Sequence, residues 1–348
     1  MHTIKIILFS LMHLVVDGIC GFVIFSSLYP LVSLSNAFII FILYNFCAFA
    51  LQPLTGFLID KFNYDKLILI CLTFVLALCL CVNLNPFFSC ILLGIANAFF
   101  HTIGGKYVLK NKQNSMSLQG LFVSLGAIGL ALGSYFYGNI LKIIFLFLIF
   151  TLLTLLVFLK DKTNDKETDE KATNDSKIKK LFPREMIIII VLLLIVTFVR
   201  AFCNKGTSYS WNINKNTILL ISIITALGKI IGGVLGDKFG IRNTILMSFI
   251  ISFISIFLTG KNMYLDFVSI LAINFSMPIT LFLLNKSFPN HEGFNFGLLA
   301  AVLFPGYLVG MNEFISFNII IFAPIAIIIS TASLVFVHYK ENKYGIIH

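Results

Sequence analysis

The chain has 348 residues, of which 59% are hydrophobic and only 11% charged, and its formal net charge is +10 at pH 7. A globular chain in water carries about 25% charged residues, so this one lacks the groups to cover a solvated surface, and a large soluble catalytic domain is excluded. At about 20 apolar residues per membrane-crossing helix, the length accommodates roughly twelve spans and little else.

The apolar runs predict helices over 6–30, 35–59, 66–83, 86–105, 117–138, 141–159, 186–204, 216–236, 243–260, 264–286, 294–311 and 314–338. The first run contains Asp17 and no small-residue cleavage site, so it reads as a span and not as a signal peptide. One connection is long. From Lys160 to Arg184 basic and acidic residues alternate among Thr, Asn and Ser, too polar to bury anything. The expected architecture is an all-α membrane protein of twelve transmembrane helices in two pseudo-symmetric six-helix bundles. An N-terminal bundle, 1–159, is joined by a cytoplasmic linker, 160–185, to a C-terminal bundle, 186–348.

With a cytoplasmic N-terminus, 19 of the 25 basic residues fall on the inner side. The basic excess is therefore topology and not nucleic-acid binding, and both termini are expected to be cytoplasmic. The seven cysteines lie in or beside apolar runs, at spacings that suit neither a disulfide framework nor a zinc site. Neither a metal nor a cofactor is expected.

An internal repeat is visible after the second and eighth spans. Gly56-Phe-Leu-Ile-Asp60-Lys61-Phe62-Asn63 and Gly233-Val-Leu-Gly-Asp237-Lys238-Phe239-Gly240-Ile-Arg242 share an Asp-Lys-Phe core offset by 177 residues, about half the chain. On these residues the chain resembles the major facilitator superfamily of secondary transporters, whose loop pattern Gly-x-x-x-Asp-Arg/Lys-x-Gly-x-Arg/Lys is met fully from Gly233 to Arg242. The first copy departs from it, with Asn63 for Gly and Asp65 for the basic residue. The resemblance implies that Gly56, Asp60, Lys61, Gly233, Asp237, Lys238, Gly240 and Arg242 form gating latches. In these, each Asp meets the N-terminus of a helix from the other half, and the basic residues add to the contact. A carboxylate so placed gains up to about 2 kcal/mol.

Three further segments, Gly94 to Gly105, Gly120 to Gly129 and Pro289 to Gly297, resemble the fosmidomycin-resistance-like drug exporters. Two positions depart from exporter and antiporter patterns: Ile91 stands near where an Arg is usual, and Ser134 where a Pro is usual. Gly126, Gly129 and Gly133 also read as close helix packing in lipid.

Charges in mid-bilayer track a water-filled path. The third, sixth, ninth and twelfth spans have no charged residue in their central stretches and are expected to face lipid. By contrast the first carries His13 and Asp17, the fourth Asn97 and His101, the seventh Arg200 and the tenth Asn274. In the resembled fold these four spans line the central cavity. The four-residue spacing puts His13 with Asp17, and Asn97 with His101, on one helix face each. Depth along the helices sets the two histidines at one level and Asp17 with Asn97 one turn above. Asp17 is the expected proton carrier. Arg200, if it faces the cavity, clamps an anionic substrate. Lys229 has two readings, snorkelling inward or pairing with Asp17 or Asp237, and Asn45 and Gln52 are expected to make helix-packing hydrogen bonds.

The leading functional reading is a secondary transporter moving a small organic solute by alternating access. It is read as proton-coupled efflux by an antiporter, a monomer in the bacterial plasma membrane with lipid, protons and solute as its only partners. A proton-coupled importer is one alternative. The other is a polytopic membrane enzyme using His13, Asp17 and His101, against which stands the absence of any His-Glu-x-x-His, Gly-x-Ser-x-Gly or phosphate-loop motif.

Overall fold

The computed structural model describes residues 2–62, 64–82, 84–110, 115–158, 183–206, 214–258, 262–312 and 318–343. These form twelve helical spans with no strand among the described residues. Spans 1 to 6 are Thr3–Leu31, Leu34–Lys61, Asp65–Cys81, Pro86–Leu109, Met116–Tyr135 and Asn139–Phe158. Spans 7 to 12 are Pro183–Gly206, Lys215–Phe239, Ile241–Ile256, Met263–Ser287, Glu292–Gly310 and Ile319–Lys343. Ten are long and apolar enough to cross a membrane. Spans 3 and 9, at 17 and 16 residues, reach about 25 Å, slightly less than the usual hydrocarbon thickness.

Several ends differ from the hydropathy reading. Span 4 continues to Leu109 because Lys106, which hydropathy alone places outside, is buried and paired. Span 8 continues to Phe239, with Lys238 in the last turn, where a cation suits the helix dipole. Span 12 is Ile319–Lys343, displaced toward the C-terminus from the expected 314–338, and residues 313–317 lie outside the described ones. Residues 159–182, most of the expected linker, also lie outside them. Pro183 to Glu185 open span 7 and so belong to the bundle, Glu185 accepting a hydrogen bond from Lys340 Nζ at 3.0 Å.

Four spans are broken, three of them at prolines. A proline ring clashes with the carbonyl four residues earlier. Span 2 accordingly passes through a π turn at Phe46–Ala50 before Pro53, span 10 stops at Ile273 and resumes at Ser276 ahead of Pro278, and span 11 breaks at Val302 ahead of Pro305. Span 1 widens into a π turn over Val23–Leu28 and ends in a 3-10 turn containing Pro30. Asn45 and Gln52, expected to bond between helices, donate instead to their own helix, at Phe41 O and Ala48 O, both at 2.7 Å.

Short connections are fixed by caps. Asn85, Ser115, Asn214 and Asn262 accept hydrogen bonds from the first turns of spans 4, 5, 8 and 10. Gly240, at φ +83°, turns span 8 into span 9 in a conformation that side chains disfavour.

The two six-helix halves meet where span 2 crosses span 11 and span 5 crosses span 8. At both crossings backbone touches backbone. A Cβ on Gly56 would overlap the Gly293 carbonyl, and one on Gly233 the Met116 carbonyl. Outer faces are apolar: span 6 exposes Ile140, Ile143, Phe147 and Phe158, and span 9 exposes Ile250 and Ile254.

Candidate functional site

Spans 1, 4 and 5 converge on a buried polar cluster. His13 Nδ1 lies 2.7 Å from the Phe122 carbonyl, and His101 Nδ1 lies 2.8 Å from the Asn97 carbonyl. A carbonyl only accepts, so both Nδ1 atoms carry hydrogen and both Nε2 atoms present lone pairs. Those Nε2 atoms face one another at 2.7 Å. Two bare lone pairs at that distance repel, and a single proton shared between them would relieve this and give the imidazole pair one positive charge. Asp17 Oδ2 balances it, 3.3 Å from His13 Nε2 and 3.7 Å from His101 Nε2, while Asn97 Nδ2 donates to Asp17 Oδ1 at 2.7 Å.

His13 Nε2, His101 Nε2 and Asp17 supply ligand-type atoms all within 4.8 Å of one another, close enough to suggest a metal. Two nitrogens on a tetrahedral zinc, each about 2.0–2.1 Å from it, stand about 3.3 Å apart. The observed 2.7 Å suits a shared proton better. Packing holds this geometry. The His13 ring stacks obliquely on Phe122 at 4.3 Å, and Gly126 gives it room, since a Cβ there would overlap the imidazole. From the other half, Phe296 on span 11 packs 6.4 Å from His101 and 5.6 Å from Phe122.

The repeated loops make matched contacts between the halves. Asp60, at the end of span 2, accepts from the backbone N–H groups of Gly293 at 3.0 Å and Phe294 at 2.8 Å, the first turn of span 11. Asp237, at the end of span 8, accepts from the N–H groups of Met116 and Ser117, both at 2.9 Å, and from the Ser115 and Ser117 hydroxyls at the start of span 5. Each carboxylate meets the positive end of a helix dipole. The loop cations do not share in this. Lys61, Lys238 and Arg242 are exposed and make no hydrogen bond or ion pair among the described residues; Lys61 and Lys238 lie over neighbouring Phe rings. Asp65, where the loop pattern has a base, pairs at 3.1 Å with Lys106 of span 4, which also donates to Ile59 O at 2.8 Å.

The C-terminal half is arranged differently. Arg200 is 3% exposed, so it does not snorkel to the surface. Its Nη1 reaches Thr280 Oγ1 only at 3.5 Å, and its Nη2 has no partner. Asn274 lies in the break of span 10 and exchanges amide hydrogen bonds with Asn204, at 3.0 and 3.2 Å, without bonding Arg200. Lys229 forms no ion pair with Asp17 or Asp237. Its Nζ crosses to span 5 and donates to Val123 O at 3.3 Å. Hydropathy reading also missed a buried pair near the end of span 12, where Ser287 donates to Glu341 Oε1. A lone acid in the last turn of an apolar helix gives no signal of burial.

The Major Facilitator Superfamily profile matches residues 9–211, more than half of the chain. The chain belongs to the major facilitator superfamily. It is thus a secondary transporter and not an enzyme, and the fold agrees throughout its length. A structure of the E. coli fucose:proton symporter, FucP, superposes with TM-score 0.69 at 13% identity, over 97% of this chain and 98% of that one. A structure of FucP in the outward conformation gives 0.68 at 13% identity with the same coverage. No curated protein matches the sequence.

Proposed function

We propose that the protein exports a small organic anion in exchange for protons, as a monomer in a bacterial plasma membrane with both termini cytoplasmic. The N-terminal bundle and the C-terminal bundle, which opens at Pro183, rock against each other. The proton reading is carried by one observation, the facing Nε2 atoms of His13 and His101 at 2.7 Å with Asp17 beside them. A proton held there is neutralised by Asp17 in a dry surrounding. Phe296, which covers His101, lies on the same first turns of span 11 whose N–H groups bind Asp60. Releasing Asp60 lifts that ring and admits water to the imidazole pair. Hydration then competes with the histidine–histidine bond, and the proton can leave on the side that has opened.

The anionic solute is supported by Arg200 and Lys229, two basic groups of the C-terminal half without a carboxylate partner. Export, and membership of the fosmidomycin-resistance-like branch, are supported by the glycine-rich segments alone. FucP, similar in fold, is by its description a symporter. The direction is therefore measured directly.

In inside-out vesicles carrying a pH gradient, added solute should release protons from the lumen of wild type, and Asp17→Asn should reduce this to the leak. Normal coupled flux in Asp17→Asn removes Asp17 from the mechanism. Protons and solute moving in the same direction identify an importer. Arg200→Ala should impair anionic solutes more than neutral ones; equal impairment rejects the solute charge.

A further inference from the structure

Arg200 lines a cavity of about 20 Å³ whose other walls come from spans 7, 9, 10 and 12. Hydroxyl-bearing residues form much of the wall: Ser248 and Ser252 on span 9, Ser276 on span 10, and Ser330 and Thr331 on span 12. Ser252, Ser276 and Thr331 donate to carbonyls of their own helices, and Ser248 donates to Ala272 O. The first three are what a hydroxyl adopts by default inside a helix, the Ser248 bond crosses to span 10, and each proton can swing to another acceptor.

Arg200 itself has no such default. Its Nη2 is buried and unpaired, and no carboxylate contacts it among the described residues. An ion buried without a partner carries an effective penalty of several kcal/mol, and removing the charge is not open to arginine as it is to lysine. A water in the cavity would satisfy the N–H group and leave the charge uncompensated. An anion does both.

We propose that this cavity is a binding site for one small monatomic anion of the halide class, held by Arg200 and the surrounding hydroxyls while the halves are closed. Size selects the class. A single water needs about 10–15 Å³ of such space, so 20 Å³ suits one particle of that order as the cavity stands, and sulfate, phosphate or an organic acid would need it to widen. The inference deepens the anionic reading of Arg200: the halide fills the position in the closed arrangement, and a solute's acidic group reaches the guanidinium only after the cavity widens.

The test uses the purified full-length protein in detergent. Thermal unfolding is followed as chloride or bromide replaces gluconate at constant ionic strength. Wild type should show a saturable rise in Tm, about 3–5 °C at a hundredfold excess over Kd. Arg200→Gln should abolish the response, and so should Ser252→Val, which fills the cavity while keeping the charge. Crystals grown in bromide should show an anomalous peak beside Arg200 Nη2. A halide-independent Tm in wild type overturns the site, and so does an equal rise in Arg200→Gln, which marks a bulk salt effect only. The solute reading is judged separately by Arg200→Ala flux, so a halide response without an effect on anionic flux rejects that reading and keeps the site.

Discussion

The two halves repeat a fold but not its interior chemistry. In the N-terminal half the buried charges close on themselves. The histidine pair lies against Asp17, Lys106 is balanced by Asp65, and no buried nitrogen or oxygen of His13, Asp17, Asn97, His101, Lys106 or Asp65 lacks a partner. In the C-terminal half Arg200 is as deeply buried and is left open. On the proposed function, what a closed network of this kind exchanges is a proton. An open cation requires something from outside. On the proposed function the contrast divides proton and solute between the halves, and it can be broken by substitution.

The largest effect is expected where a closed pair is cut. Lys106→Met leaves Asp65 buried without its counter-ion and should cost about 3–5 kcal/mol, read as a steep fall in Tm. Adding Asp65→Leu should restore most of the loss, because an apolar pair of similar volume replaces an ion pair at little cost. Failure of the double variant to recover would mean that Lys106 acts mainly by holding the Ile59 carbonyl.

Next comes the seat of the histidine pair. Gly126→Ala drives a methyl group into the His13 ring. Overpacking of this kind costs about 1–3 kcal/mol, and the displaced ring breaks the Nε2 contact, so proton-coupled flux should fall far more than stability does. A variant with normal coupling would separate the pair's geometry from its function.

How much of this could be read from residues alone follows from the range of each interaction. Spans are local properties of hydropathy, and the proline breaks at Pro53, Pro278 and Pro305 are local steric facts. The repeated Asp-Lys-Phe loops are local motifs. The four-residue spacing of His13 with Asp17 and of Asn97 with His101 sets each pair on one face, so a common cluster was conceivable in advance. The direction in which Arg200 turns was not, because span 7 alone does not say which neighbour is wet. A clue was present in span 9, where Ser248, Ser252 and Ser255 recur at helical spacing along one face, although the central stretch of the span carries no charge and reads as lipid-facing. Lys106 with Asp65 left no trace, since residues 41 apart on different helices share no period.

The interface offers a finer version of the same contrast. Asp237 accepts from two backbone N–H groups and two hydroxyls, Asp60 from two backbone N–H groups only. Asp237→Asn should therefore shift the closed arrangement more than Asp60→Asn, each by no more than about 2 kcal/mol. Spin-label distances across the end that carries Thr3 and Lys343 would report both. Equal shifts would mean that the Ser115 and Ser117 hydroxyls add nothing beyond the helix dipole.

The smallest effect is expected at the most deeply buried cation, and its sign is the informative part. In halide-free buffer Arg200→Met removes a charge that no described residue compensates and replaces it with an apolar side chain of comparable length. The lost contact is a single 3.5 Å approach to Thr280, while the relieved penalty is that of an unpaired ion. Tm should stay level or rise slightly, the opposite of Lys106→Met under the same conditions. In saturating chloride the order should reverse, because wild type then gains its anion and the variant does not. A fall in halide-free buffer as large as that of Lys106→Met would show that Arg200 is compensated by the fold itself, and the two halves would then be closed networks alike.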